Sequence, residues 1–284
     1  MNPRNRPRFS ISNLQIFKFP NFNCNLKSPR VVISSTFLNK HNTMKHLAFL
    51  FLAVLIVASS CNFMGGKRVP GNGNVTTSEK TVSSFTQVEQ KGSFDVYVST
   101  GSTYSVKIEA EDNLLPYIET NVSNGKLEIN TKKGFWLNPT KGLKVYVTAP
   151  TFSAIRSYGS GNITSENTIY DSSKIELSVS GSADIKATVD APEVHSEVTG
   201  SGNADLNGQT KKFNGNVRGS GNINAFELKA EEAKVEISGS GNANLFASVK
   251  LDVTVNGSGD VSYKGNAPDV VSNMHGSGSL KKAE

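Results

Sequence analysis

A four-residue motif, Gly-Ser-Gly-Asn, recurs along the second half of the chain at almost constant spacing. Some copies carry Asp or Ser in the fourth place, or Ala in the third. The motif or such a variant begins at seven glycines: Gly159, Gly181, Gly200, Gly219, Gly239, Gly257 and Gly276. Self-similarity at a fixed short period is typical of repeat architectures, in which each unit contacts only its neighbours.

The residues around each motif alternate between apolar and polar. In the unit that ends at Gly181, for example, Ile175, Leu177 and Val179 alternate with the polar Glu176 and Ser178. Positions four and six after the first glycine of most motifs are also apolar. Because successive side chains of a strand point to opposite faces, this pattern predicts a strand, a polar corner and a second strand with one buried face.

One such unit cannot bury its apolar face alone, whereas a stack of units can. The sequence therefore predicts an all-β fold: a parallel β-helix, or solenoid, with coils of about 19 residues. Adjacent coils are expected about 4.8 Å apart. Since many of the apolar positions hold small residues, we expect a narrow core.

The motif itself is suited to a tight corner. Glycine adopts positive φ without a steric penalty, and Asn or Asp tolerates the left-handed region. In register, the Ser and Asn side chains would form two columns that hydrogen-bond along the stack. The predicted structural corner ladder comprises Gly159, Ser160, Asn162, Asp184, Gly200, Asn203, Gly219, Asn222, Gly239, Asn242, Gly257 and Asp260.

Two parts of the β-rich body are distinguished by this motif. We expect residues 159–284 to form the regular β-helix. Residues 85–158 lack the motif but keep the strand pattern, which predicts less regular β-coils or hairpins that cap the helix. Within this cap, Phe135, Trp136 and Pro139 indicate a loop.

The N-terminal region reads as an export signal. Residues 47–57 form an unbroken apolar run that is preceded by Lys45 and followed by small residues. This arrangement predicts a secretory signal peptide over residues 44–60, too short to span a bilayer. Cys61 directly follows, as in a bacterial lipobox, although Ala58 stands where that motif usually has Leu. We therefore expect Cys61 to be lipidated; the alternative is an ordinary signal peptide followed by a chance cysteine.

The segments on either side of this signal are interpreted separately. Residues 1–43 are basic and lack acidic residues, and we interpret them as a leader from a mis-called start, with translation beginning at Met44; a transit peptide is the rival interpretation. Residues 61–84 are rich in Gly, Asn, Ser and Thr, which predicts a lipid anchor followed by a flexible tether. With Cys24 in the leader and Cys61 lipidated, the mature chain would have no cysteine left for a disulfide or a metal.

The positive charge of the chain lies almost entirely in this N-terminal region. Residues 1–61 hold eight Lys or Arg and no Asp or Glu, whereas the rest holds 22 basic and all 24 acidic residues. Without a basic excess in the body, a nucleic-acid partner is not expected.

At this point the chain resembles a known family. The segments FTQV (residues 85–88) and GSFDVYV (residues 92–98), with the repeated GSGN or GSGD corners after a lipoprotein signal, are similar to the auto-transporter adhesins with a head GIN domain from Gram-negative envelopes. The resemblance covers about residues 85–282. It implies a right-handed β-helix placed in the cell envelope, and it brings no catalytic residues with it.

Three kinds of chemistry compete with a purely structural role for the motifs. Calcium binding is disfavoured, because the fourth motif position is mostly Asn, whereas hard cations prefer carboxylates. Catalysis as a polysaccharide lyase or hydrolase would need converging acids and bases, but His195, His275, Glu176, Glu197 and Glu236 fall on outward positions of different coils. We expect no cofactor, no metal and no catalytic site. The aromatic residues of the first half predict a possible ligand surface: Tyr97, Tyr104, Trp136, Tyr146 and Tyr158.

The sequence thus predicts a lipid-anchored β-helix of the cell envelope that acts as an adhesion or binding module, or as a structural element, without catalysis. Its partners would be the membrane, through the lipid, and an envelope glycan or protein. An envelope signalling or interaction domain is the first alternative, and a carbohydrate-active enzyme is the second. We expect an exported outer-membrane lipoprotein, on the periplasmic face or at the cell surface.

Acylation of Cys61 is directly testable. Cells that express the full chain should incorporate labelled palmitate into the protein, and Cys61→Ser should abolish the label, because the thiol is the acceptor of the lipid. Label that persists in Cys61→Ser would contradict the prediction. Two or three chains on Cys61 would give stable membrane attachment, since one acyl chain binds only marginally.

Overall fold

The computed structural model describes residues 66–284 of the chain. The expectations for the leader, for the signal peptide and for Cys61 fall outside the described residues. Within residues 66–284, no helix is long and apolar enough to cross a bilayer. This part of the chain consists of β-strands and one short 3₁₀ helix (Leu115–Tyr117).

The described strands, in chain order, are β1 (Lys67–Pro70), β2 (Val75–Lys80), β3 (Gln87–Gly92), β4 (Asp95–Thr100), β5 (Ser105–Glu111), β6 (Ile118–Ser123), β7 (Lys126–Thr131), β8 (Phe135–Asn138), β9 (Lys144–Ala149), β10 (Ala154–Gly159), β11 (Ile163–Tyr170), β12 (Lys174–Gly181), β13 (Asp184–Gly200), β14 (Asn203–Gly219), β15 (Asn222–Gly239), β16 (Ala243–Phe246), β17 (Lys250–Gly257), β18 (Val261–Lys264), β19 (Asp269–Gly276) and β20 (Leu280–Lys282).

The strands stack into a parallel β-solenoid of about seven turns, which confirms the predicted fold class. The leading wall contains β7 and the strands that end at the first glycine of a motif or at Gly92, which we call the glycine corner: β3, β10, β12, the second halves of β13 to β15, β17 and β19. The trailing wall contains those that leave it: β9, β4, β11, the first halves of β13 to β15, β16, β18 and β20. Each neighbouring pair within a wall is parallel.

At the N-terminal end the order of the coils differs from the order of the chain. Strands β3 and β4 lie between the coil of β7 and β9 and the coil of β10 and β11. After β9 the chain passes over the buried Phe152 and returns to pair β10 with β3. Antiparallel strands then close this end, with β6 on β7, β5 on β9 and β2 on β5. These pairings cover strand edges that would otherwise be open to association with another chain.

The core is a column of mostly branched and small apolar side chains, with Phe85, Phe94, Phe152 and Phe213 as its largest members. The inward positions predicted from the alternation are buried in the central coils, for example Val194, Val235 and Leu251. In the last coil, β19, the equivalent Val270 is 38% exposed, because no described coil packs on its far side.

The two glycines of the motif serve different purposes. The first glycine has a positive φ in all seven motifs, such as 123° at Gly219, as the sequence predicts. The third glycine does not share that conformation, since Gly221 lies outside the positive-φ region. Instead, a Cβ on Gly221 would overlap the carbonyl oxygen of Gly202 in the preceding coil. The third glycine is therefore required for close approach between coils.

Two expectations are corrected. Part of the segment predicted to be a tether is strand: β1 pairs with β8, and β2 pairs with β5. The loop expected around Trp136 is also a strand: it is β8, which pairs with β1. These segments lack the repeated apolar–polar alternation of the coils, and they form strands because they complete the hydrogen bonds of an edge that another strand presents.

The close approach at Gly221 makes a sharp stability prediction. Gly221→Val should lower the free energy of unfolding by about 1–3 kcal/mol or more, because the new side chain overlaps backbone that cannot move aside. Val235→Asp should be at least as harmful, since it buries a charge. Gly142→Val is the matched control, because a Cβ on Gly142 meets nothing within 4 Å. Equal melting temperatures for Gly221→Val and Gly142→Val would contradict this account of the corner.

Candidate functional site

The fourth motif positions form a continuous hydrogen-bonded column along the glycine corner. Asn162 Oδ1 accepts the backbone N–H of Asp184 at 3.0 Å, and Asp184 Oδ1 accepts both the N–H of Asn203, at 3.0 Å, and its Nδ2, at 2.8 Å. Asn203 Oδ1 accepts Nδ2 of Asn222 at 2.8 Å. The column continues in the same way through Asn242 and Asp260.

The column extends beyond the predicted residues at both ends. Asp95 Oδ1 accepts the N–H of Asn162 at 3.2 Å, and Asp260 Oδ1 accepts the N–H and the hydroxyl of Ser279 at 2.8 and 2.7 Å. The hydrogen bonds from Ser279 lower the pKa of Asp260 from its ordinary value. Side chains whose oxygens already accept hydrogen bonds from the next coil serve the stack itself.

The serines of the motif behave differently from the expected hydroxyl column. The backbone N–H of each serine, such as Ser220, donates to the carbonyl oxygen of the first glycine in the preceding coil, here Gly200 at 2.9 Å. The serine hydroxyls face solvent, and within residues 66–284 only Ser93 and Ser160 pair through their hydroxyls, at 3.1 Å. The close approach of the coils aligns the backbone and leaves the hydroxyls outside.

The five aromatic residues predicted as a ligand surface do not converge. Tyr97 and Tyr146 stack on the trailing wall, with ring centroids 5.1 Å apart, and the Lys107 ammonium lies 4.7 Å above the Tyr146 ring. Tyr104 contacts Phe85 instead. Trp136 lies on β8, and Tyr158 lies on the leading wall, so the structure divides the set among four places.

The titratable residues of the coils do not converge either. His195 and His275 lie on β13 and β19, which belong to different coils. Glu176 forms ion pairs with Lys174 at 2.6 Å and Arg156 at 2.7 Å, and the Lys174 hydrogen bond is the main cause that lowers its pKa.

The other two glutamates singled out in the sequence are paired in the same way. Glu197 pairs with Arg218, and Glu236 pairs with Lys234 at 2.8 Å. In residues 66–284, no group of three or more His, Cys, Asp or Glu side chains could hold a metal ion. The outward carboxylates thus form a solvated, ion-paired face.

A groove lies at the opposite corner, where trailing-wall strands turn into the next leading-wall strands. Four residues of successive coils, Tyr170, Asp190, Gln209 and Lys229, pair in register along it. The groove has a volume of about 490 Å³, and Phe246 also lines it. Because its wall is built from stacked coils, the groove runs parallel to the solenoid axis. We call it the corner groove.

Polar and aromatic groups both line the corner groove. Tyr170 is 53% exposed, and Gln209 Nε2 donates to Asp190 Oδ2 at 2.9 Å. The Lys229 ammonium lies 4.5 Å above the Phe246 ring and 3.3 Å from a carboxylate oxygen of Glu227. The groove therefore offers an exposed aromatic face beside hydrogen-bond donors and acceptors that are held by their neighbours.

Sequence reasoning missed the corner groove because it concentrated on the glycine corner and on the first half of the chain. A signal was present: Tyr170, Asp190, Gln209 and Lys229 recur at the spacing of the motif. Side chains at equal phase in a solenoid must lie in one column, so this register could have been aligned with the motifs.

Residues 84–267 match the family described as "Putative auto-transporter adhesin, head GIN domain". The chain belongs to this family. The match covers the strands from β3 to β18, and therefore both the glycine corner and the corner groove. No curated protein shows significant sequence similarity to the chain.

Solved structures share the fold. An adhesin from Bacteroides fragilis NCTC 9343, titled putative, is 21% identical with a TM-score of 0.73, and the alignment covers 76% of this chain and 100% of that one. A "putative lipid binding protein" from Parabacteroides distasonis ATCC 8503 is 25% identical with a TM-score of 0.64, covering 77% and 100% of the two chains. A "putative adhesin" from Parabacteroides merdae ATCC 43184 is 20% identical with a TM-score of 0.56, and the alignment covers 77% of this chain and 100% of that one.

The hydrogen-bonded ladder predicts that folding is independent of metal. Addition of EDTA should leave the thermal transition unchanged, because Oδ1 of Asp184 and Oδ1 of Asp260 each accept two hydrogen bonds from the next coil. Scanning calorimetry with and without the chelator checks this. A fall of several degrees would contradict it, and Asp184→Asn and Asp260→Asn would then locate the ion.

Proposed function

We propose that this protein is a non-catalytic binding module of the cell envelope, that a lipid on Cys61 holds it to the membrane, and that it binds an envelope glycan in the corner groove. The observation that carries the proposal is the corner groove itself, with an exposed aromatic ring next to fixed polar groups. Pockets with an apolar or aromatic platform and a few placed polar groups are typical ligand sites.

The form of the corner groove favours an extended ligand. Tyr170, Asp190, Gln209 and Lys229 lie on four successive coils, so they span about 14 Å at the usual spacing between strands. Tyr170 presents an apolar ring with a polar tip, which suits a ligand that has both apolar faces and hydroxyls. A polysaccharide chain laid along the solenoid axis would meet one of these side chains at each coil.

The arrangement of charges favours binding over catalysis. General acid–base chemistry needs groups with suitable pKa values that face one reacting atom. In the corner groove, Asp190 accepts a hydrogen bond from Gln209, and Lys229 is shared between the Phe246 ring and Glu227. These groups fix one another in place, which supports a rigid surface.

Membership of an adhesin family suggests a place in the cell envelope or at the surface. The apolar run before Cys61 supports export and attachment to the outer membrane. The residues directly after Cys61 carry no acidic cluster, which supports the periplasmic face.

The corner groove can be tested with purified protein and envelope polysaccharides. Tyr170→Ala should weaken binding about tenfold or more in isothermal titration, because it removes the exposed ring. Tyr158→Ala is the matched control: that tyrosine is also exposed, at 40%, but lies on the leading wall. Depolymerisation of any polysaccharide would contradict the non-catalytic proposal.

Two further outcomes of the titration decide the location of the ligand. Equal weakening by Tyr158→Ala and Tyr170→Ala, or weakening by Tyr158→Ala alone, would contradict the corner groove as the site. An absence of binding to the whole panel of envelope polysaccharides would contradict a glycan ligand.

A further inference from the structure

A second surface lies at the capped end of the solenoid, around the small sheet of β1 and β8. One exposed indole and five exposed cations occur together on these strands and the turns that flank β8. We call this surface the Trp136 patch; it consists of Lys67, Arg68, Lys132, Lys133, Trp136 and Lys141. Trp136 is 51% exposed, which is unusual for the largest apolar side chain in a folded domain.

Backbone pairing places Arg68 beside Trp136 within the Trp136 patch. Strands β1 and β8 are parallel, with Arg68 directly opposite Trp136. Arg68 Nη2 donates to Oδ1 of Asn138 at 3.1 Å, two residues beyond Trp136, so these three side chains share the outer face of the small sheet. Leu137, between them on β8, packs against the solenoid core.

The turn before β8 adds two more cations to the patch. The N–H of Phe135 donates to the carbonyl oxygen of Lys132 at 3.1 Å, and the N–H of Lys67 donates to that of Gly134 at 2.8 Å. These bonds hold Lys132 and Lys133 beside the start of β1. Both lysines are exposed.

Across the part of the chain that the structure describes, none of the five cations of the Trp136 patch forms a salt bridge. The adjacent carboxylates are engaged elsewhere. Glu111 is buried and accepts the N–H and hydroxyl of Thr140 at 2.9 and 2.6 Å, and Asp112 accepts Nδ2 of Asn72 at 2.6 Å. The patch therefore presents net positive charge to solvent.

An apolar cavity opens beside the indole. It has a volume of about 260 Å³, and Trp136 lines it together with Phe94, Phe135, Leu137 and Leu143. An exposed aromatic residue next to an apolar cavity and a ring of cations is a surface that can enter an interface between apolar and anionic material.

The Trp136 patch is also close along the chain to the expected anchor. The backbone of Gly66 packs against the indole so tightly that a Cβ there would overlap Trp136. Gly66 is five residues after Cys61, and five residues span at most about 18 Å when fully extended. A lipid on Cys61 would hold the patch within that distance of the bilayer surface.

We propose that the Trp136 patch docks on the surface of an anionic bilayer, with the indole at the level of the headgroups and the five cations against their phosphates. The placement near the bilayer rests on the proposed lipid anchor. Tryptophan is enriched at membrane–water interfaces, and basic side chains near a membrane are attracted by anionic lipids. Docking would direct the capped end of the solenoid to the membrane and the end with β19 and β20 away from it.

The chain contains a single tryptophan, so its fluorescence reports on the Trp136 patch alone. The full-length protein is reconstituted into vesicles of phosphatidylcholine, with or without phosphatidylglycerol, that carry brominated acyl chains. In anionic vesicles Trp136 emission should shift to the blue and be quenched by bromine, and high salt should reverse both effects. An indole that stays quenched only by aqueous iodide in both kinds of vesicle would overturn the proposal.

Charge reversal gives a matched comparison. Lys132→Glu combined with Lys133→Glu should reduce bromine quenching to the level seen without anionic lipid. Lys281→Glu combined with Lys282→Glu changes an exposed pair on β20, at the other end of the solenoid, and should leave quenching unchanged. Equal quenching in both double variants would overturn the proposal. If the first variant fails to fold by circular dichroism, the salt titration of the unaltered protein decides the question.

Two further arms separate the docking from its assumptions. Labelling with palmitate reports on the anchor independently. Quenching without label would support docking by the Trp136 patch and contradict the lipid on Cys61. Label without quenching would support the lipid and contradict docking by the patch. A soluble anionic polysaccharide is added in place of anionic lipid. A blue shift with the polysaccharide and none with anionic vesicles would overturn the bilayer as the partner.

Discussion

The whole solenoid depends on how closely one coil can approach the next at the glycine corner. At Gly202, Gly221, Gly241 and Gly259 the backbone of one coil lies where a Cβ of the next would be. This contact lets the serine N–H reach the glycine carbonyl of the preceding coil, at 2.9 Å for both Ser201 and Ser240. The Asn and Asp column then adds side-chain hydrogen bonds along the same edge. Backbone hydrogen bonds thus align each coil with the preceding one, and the Asn and Asp side chains add to this alignment.

This constraint explains why so much of the fold could be predicted. A motif that recurs in phase with apolar alternation specifies both the corner and the inward face, and the parallel walls and the burial of Val194 and Val235 follow from it. The role of the third glycine is harder to predict, because a glycine needed for close approach and one needed for positive φ are identical in the sequence. Only the neighbouring coil at Gly202 distinguishes them.

The capped end and the corner groove were less predictable, for a different physical reason. Strands β1 and β8 form because each completes the hydrogen bonds of the other, and nothing local in KRVP or FWLN requires a strand. The corner groove arises from residues that become neighbours only once coils are stacked. Aromatic content alone therefore did not indicate which rings the stacked coils bring to the corner groove: Tyr97 and Tyr146 stack on each other elsewhere, whereas the exposed Tyr170 lines the groove.

Amide hydrogen exchange at the motif serines tests the central claim most directly. The side chains of Ser201, Ser220 and Ser240 face solvent, yet their N–H groups donate to the glycine carbonyls of the preceding coils. If coil contact at the glycine corner holds the fold together, these amides should exchange as slowly as those of the buried Val198 and Ile237, through global unfolding. Exchange at the rate of exposed turn residues such as Asn124 would contradict the account.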